Sequence, residues 1–134
     1  MMNIGASALK MTGALKMMIV DDSNIIRRRI ERSQQIDRLE VVGSAANGRE
    51  AVELFQRTSP DVVTMDLTMP EMDGIECVER LVKINPDVLI LVISALADKA
   101  TAVEAIERGA NGFLCKPFTD RQLNDALEEL LSEI

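Results

Sequence analysis

Asp21-Asp22, Asp66, Ser94 and Lys116-Pro117 each follow an apolar run of strand length. The runs are Leu15 to Val20, Val62 to Met65, Leu89 to Ile93 and Gly112 to Cys115. In an open parallel sheet the carboxyl ends of the strands lie along one edge, and ligands bind there. Three carboxylates, a hydroxyl and an ammonium would then converge on one surface pocket. Carboxylates so close repel one another unless a hard cation with oxygen ligands sits among them. The chemistry open to this set is a Mg²⁺ site with a nucleophilic aspartate inside it.

Each signal also has a plainer reading. Asp21-Asp22-Ser23 opens a helix, where Asp and Ser serve as caps and acids suit the N-terminal dipole. One acid explains a cap; two adjacent acids after a wholly apolar strand are explained less well. Asp66 stands before Leu67-Thr68-Met69-Pro70, a turn that Pro70 and Gly74 punctuate. A carboxylate there becomes a nucleophile when its charge is partly neutralised. A lone lysine is usually solvated, and Ser94 could be an ordinary capping serine.

The elements that must position these residues are legible. From Leu15 onward, strand and helix alternate. The expected strands are Leu15–Val20, Leu39–Ser44, Val62–Asp66, Leu89–Ser94 and Gly112–Cys115, all short and rich in Val, Ile, Leu and Met. That composition suits strands buried on both faces. The expected helices are Ser23–Ile36, Gly48–Thr58, Gly74–Ile84, Ala100–Arg108 and Asp120–Leu131. In the last, Leu123, Ala126, Leu127, Leu130 and Leu131 repeat at helical spacing behind Thr119 or Asp120 as a cap. Ser59-Pro60, Asn85-Pro86 and Gly109 mark helix ends. Strict alternation implies an α/β fold: a doubly wound parallel sheet with right-handed crossovers and helices on both faces. The five-strand, flavodoxin-like order 2-1-3-4-5 puts the switch point between the strands ending in Asp21-Asp22 and in Asp66.

Composition narrows the function. The 134 residues suit one domain, and 47% hydrophobic content suits a packed core. A net charge of −7, from 22 acidic and 15 basic residues, gives no general attraction to nucleic acid or anionic lipid. The dense basic run, Arg27-Arg28-Arg29, reads as a solvated helix face. Cys77 and Cys115 form no disulfide or zinc pattern, which points to a reducing cytoplasm. There is no histidine, hence no phosphohistidine chemistry in cis. Residues 1–14 are small and interrupted by Gly5 and Gly13, and read as a loose extension ahead of a domain at 15–134. No apolar stretch reaches membrane length.

Taken together, MIVDDSNIIRR, VVTMDLTMPEMDG, LVISA and GANGFLCKPFT resemble the receiver domain of two-component response regulators in order and spacing. The resemblance runs from about Leu15 to the C-terminus. Because no output domain follows, it is strongest to stand-alone chemotaxis response regulators. It implies that Asp66 accepts a phosphoryl group from the phosphohistidine of a sensor histidine kinase. It implies Asp22 as a direct Mg²⁺ ligand, Asp21 as one acting through water, and Thr68 as the backbone carbonyl completing the site. Lys116 would pair with the phosphoryl group, Ser94 would be the switch hydroxyl, and Phe113 the aromatic that turns with phosphorylation.

The implied protein is a monomeric cytoplasmic phosphorelay switch rather than an enzyme. Its partners would be the kinase, a downstream target such as a flagellar motor component, and a phosphatase. Its output face would comprise the fourth helix, fifth strand and fifth helix, with Lys99, Ala102, Val103 and Phe113 along its edge.

The family pattern is not followed everywhere. Phe113 replaces the commoner tyrosine, making the switch purely steric. Thr68 and Leu96 stand where some chemotaxis members carry an amide and an acid that position water, so slow self-dephosphorylation is expected. Rival readings fit less well. A haloacid-dehalogenase type of enzyme needs an acid where Thr68 stands, and a nucleotide-binding domain needs a glycine-rich loop after the first strand. A receiver-like binding module that never takes phosphate usually lacks an acid or the lysine, and none is missing. That module, or a phosphate sink in another phosphorelay, is the alternative.

Overall fold

Residues along the central strands alternate between two helical layers, and this alternation builds the molecule. In a computed structural model describing residues 14–69, 72–95 and 99–134, the strands are β1 (Leu15–Val20), β2 (Leu39–Ala45), β3 (Val62–Met65), β4 (Leu89–Ala95) and β5 (Gly112–Lys116). The helices are α1 (Asn24–Ser33), α2 (Gly48–Thr58), α3 (Gly74–Ile84), α4 (Lys99–Glu107) and α5 (Asp120–Leu131). All strand pairs are parallel, in the order β2-β1-β3-β4-β5. The expected doubly wound topology is therefore present. Of the expected N-terminal extension only Ala14 belongs to the described residues, and Leu96 lies outside them.

Successive strand residues face opposite sides, so one strand feeds two cores. Met18, Val20, Val63, Met65, Ile90 and Val92 pack with Leu54 and Phe55 of α2, Val78 and Leu81 of α3, and Ala102 and Ala105 of α4. Leu15, Met17, Ile19, Val62, Leu91 and Ile93 pack with Ile30 of α1 and Leu123, Leu127, Leu130 and Leu131 of α5. Strands covered on both faces read as continuous apolar runs, which is why the sequence shows them so clearly.

Boundaries differ from the expectation in small, explicable ways. Helix α1 stops at Ser33 rather than Ile36. The Gln34 side chain takes up backbone groups instead, donating to the Leu39 carbonyl at 3.2 Å and accepting from the Ile36 amide at 3.0 Å. β3 ends at Met65, leaving Asp66 beyond the ladder, whereas β2, β4 and β5 each run one residue further than expected. α4 begins and ends one residue earlier than expected, a shift within the ordinary fraying of helix ends. Of the two candidates for the α5 cap, Thr119 is the cap, with Gln122 completing a reciprocal capping box.

Candidate functional site

The acids meet because β1 and β3 are neighbours. The ladder pairs Val20 with Met65, and the Asp66 amide continues it by donating to the Val20 carbonyl at 2.9 Å. Asp21 leaves β1 anchored in the same manner, its amide donating to the Ala45 carbonyl at 3.1 Å. Ligand oxygens of Asp21, Asp22 and Asp66 all lie within 4.8 Å of one another. Asp21 and Asp66 are buried, and Asp22 is exposed.

Capping does not explain the acidic pair. The cap of α1 is Ser23, whose hydroxyl accepts from the Ile26 amide at 3.2 Å. The two oxygens of Asp21 are engaged elsewhere: Oδ1 accepts from the Ser23 amide at 2.9 Å and Oδ2 from Lys116 Nζ at 2.9 Å. The same ammonium stands 3.7 Å from Asp66 Oδ1. The Thr68 amide donates to that Asp66 oxygen at 3.3 Å, so Thr68 meets the pocket through its backbone. Gly74 permits the chain to fold back under it, because a Cβ there would lie 2.4 Å from Leu67 Cα and 2.7 Å from the Asp66 carbonyl oxygen.

Electrostatics follow from this crowding. Burial, reinforced by the Asp21 carboxylate, pushes Asp66 up to about 6, against the pull of Lys116 and the Thr68 amide. Burial alone would lower Lys116, but its bond to Asp21 and the surrounding carboxylates hold it above its ordinary value. Among the described residues, one partly buried ammonium thus faces three carboxylates, and the pocket is short of positive charge. Three oxygen donors of this kind, close together and undercompensated, fit a hard cation such as Mg²⁺.

Ser94 and Phe113 occupy the neighbouring pair of strands. Ser94 is buried on β4 opposite Cys115, and Phe113 is half-buried on β5 opposite Val92. Ala102, expected along the edge of an output face with Lys99, Val103 and Phe113, is 2% exposed and packs into the core. Low amphipathic contrast in α4 hid which of its alanines turn inward. The cysteines are free, and burial pushes the Cys77 thiol up to about 12, out of reach of thiolate chemistry.

The basic run is not the solvated helix face that its composition suggests. Only Arg28 of the three is exposed. Arg27 donates to the Asp21 carbonyl at 2.6 Å, and Arg29 donates to the Phe118 carbonyl and lies 4.5 Å from the centroid of that ring. No local pattern could have signalled the second contact, which joins residues far apart in the chain.

A doubly wound sheet with clustered carboxylates and a lysine at its switch point defines the class. The chain matches the response regulator receiver domain over residues 17–128. It is 42% identical to the chemotaxis protein CheY of Thermotoga maritima, over 86% of this chain and 96% of that protein. It is 41% identical to a protein-glutamate methylesterase/protein-glutamine glutaminase of Photobacterium profundum, over 90% of this chain but 32% of that one. Among solved structures, a CheX–CheY–BeF₃–Mg²⁺ complex from Borrelia burgdorferi superposes with a TM-score of 0.84 at 26% identity, covering 91% of this chain and 92% of that one. The chain belongs to the response regulator receiver family. No helix among the described residues is long and apolar enough to cross a membrane.

Proposed function

We propose that this chain, as a receiver domain spanning residues 15–134, is a response regulator of chemotaxis or motility. Asp66 accepts a phosphoryl group from the phosphohistidine of a sensor kinase, and the aspartyl phosphate switches a partner-binding face. The observation that carries this reading is the meeting of Asp21, Asp22 and Asp66 within 4.8 Å beside Lys116. Alignment over 96% of the T. maritima CheY supports the chemotaxis reading.

In the step itself, an Asp66 carboxylate oxygen attacks phosphorus in line. The O–P bond forms, the N–P bond breaks, and the imidazole leaves with the electron pair. Lys116, already 3.7 Å from Asp66 Oδ1, turns from Asp21 to the arriving oxygens. Asp21, Asp22, Asp66 and the Thr68 carbonyl would hold Mg²⁺. When bound, it would neutralise carboxylate charge and stabilise the negative charge of the phosphoryl group; the B. burgdorferi complex contains both beryllofluoride and Mg²⁺.

A phosphoryl group adds charge of about −1.5 to −2 and three strong acceptors. Ser94 moves toward them, and Phe113 turns into the space it leaves. The protein is a phospho-accepting signal carrier rather than an enzyme, cytoplasmic and monomeric, with kinase, motor-type target and phosphatase as partners. With Thr68 and Leu96 in place of an amide and an acid, its phosphoryl group decays slowly.

Incubation with acetyl phosphate and Mg²⁺ should add one phosphoryl group by intact mass. Asp66→Asn should abolish the gain while keeping the fold, since the amide is nearly isosteric but a poor nucleophile. Equal phosphorylation of that variant would overturn the assignment.

A further inference from the structure

The Lys116 loop has an anchor that none of the acids provides. Lys116 reaches the pocket on a long flexible side chain, so its reach depends on where its backbone is held. On the strand side, β5 is held by its ladder to β4, with Lys116 opposite Ala95. On the other side, Phe118 is 3% exposed and packs among the α1 and α5 side chains. Arg29 covers it: the guanidinium lies 4.5 Å from the ring centroid, one of its nitrogens donates to the Phe118 carbonyl, and that nitrogen stands 3.9 Å from Asp120 Oδ1.

Two residues earlier on the same helix, Arg27 donates to the Asp21 carbonyl at 2.6 Å and to Asn24 Oδ1 at 3.3 Å. Side chains two positions apart on a helix point about 200° away from each other, so one short run reaches two different loops. α1 thereby holds the Asp21 backbone directly and the loop after Lys116 at Phe118, two residues further on.

We infer that Arg29, seconded by Arg27, is a positioning residue for phosphoryl capture: it clamps the Phe118 turn and so keeps Lys116 aimed at the pocket. This rests on the phosphoacceptor reading above. Arg suits the task because its planar fork stacks on a ring and donates in the same pose, which a lysine ammonium does not reproduce. Arg29 itself contacts Phe118 and Asp120 and none of the three pocket carboxylates, so in an Arg29 variant metal binding and phosphoryl-analogue binding should separate.

The test uses beryllofluoride as the phosphoryl probe, with Mg²⁺ titrated separately, on wild type, Arg29→Met and Arg29→Lys. In Arg29→Met, Mg²⁺ affinity should be equal or tighter while beryllofluoride affinity at saturating Mg²⁺ falls about tenfold. Arg29→Lys should recover only part of the loss. A readout independent of phosphoryl chemistry is amide exchange in the metal-free protein. The Thr119 amide donates to the Gln122 side chain at 2.9 Å and should exchange about tenfold faster in Arg29→Met. Unchanged exchange at Thr119 overturns the clamp. So does parallel loss of Mg²⁺ and beryllofluoride affinity, which marks general damage, or full affinity for both. A wild type that binds Mg²⁺ but no beryllofluoride sinks the phosphoacceptor reading instead, whatever the exchange rates show.

Discussion

The two flanks of the pocket are built differently. On the α1/α5 flank, Leu123, Leu127, Leu130 and Leu131 bury large side chains, and polar tethers add to them. Asn124 donates to the Ser33 and Asp120 carbonyls, each at 2.8 Å, and accepts from the Gln35 amide at 2.7 Å. The α4 flank buries only Ala102 and Ala105 from its helix, while Val103 and Ile106 stay 52% and 45% exposed. Its polar tie is Arg108, which bonds Glu79 of α3 at 2.6 Å and Glu104 at 3.1 Å on the surface. A helix seated on two methyl groups costs far less to displace than one seated on four leucines. The lesson is that the pocket has a firm wall on the α1/α5 side and a looser one on the α4 side.

The sharpest challenge to this contrast is core truncation. Leu127→Ala on α5 should cost about 3 kcal/mol or more, as fully buried leucines do, with a clear fall in the urea midpoint. Ala105→Gly on α4 should cost about 1–2 kcal/mol, mostly helix propensity and one lost methyl. Equal costs would erase the difference between the walls.

Between the flanks sits Asp66, and pH probes it. Its folded value is raised to about 6 from 3.8, so the folded state holds the proton more tightly than the unfolded chain. Stability from this group is fully present below about 4 and is lost as pH rises through 6. Metal-free Asp66→Asn should therefore exceed wild type at pH 7 by on the order of 2 kcal/mol, and the gain should vanish as pH falls from 6 toward 4. Mg²⁺ should shrink it at neutral pH. A gain that is constant with pH would mean that charge at Asp66 does not load the pocket.

The smallest expected effect is at the surface tie. Arg108→Met should leave the unfolding midpoint nearly unchanged, since exposed ion pairs contribute little. It should still speed amide exchange in α4 while leaving α5 unmoved. Equal acceleration in both helices would show that α4 is no looser than its counterpart.

Much of this was readable in advance, and the reason is locality. Buried parallel strands announce themselves as apolar runs, helices as a 3.6-residue rhythm, and strand-end acids stand out against both. The extents of α2, α3, α5 and β1 match the sequence expectation residue for residue. The misreadings concern which way a side chain reaches. Arg27 and Arg29 look solvated on a charged helix, yet each finds a backbone carbonyl on another loop. Ala102 looks like an edge residue and is buried. Two adjacent acids, Asp21 and Asp22, are chemically alike in sequence, yet one is buried against Lys116 and the other exposed.

By itself, then, the sequence determined the βα alternation, the residues available for chemistry and the strand end on which each would stand. These depend on neighbours within a few positions along the chain. The tertiary structure alone decided the raised proton affinity of Asp66, the ion pair of Asp21 with Lys116, and the grip of α1 on the Phe118 turn. Each of those depends on residues brought together from distant parts of the chain, where burial strips away water and makes an unbalanced charge costly.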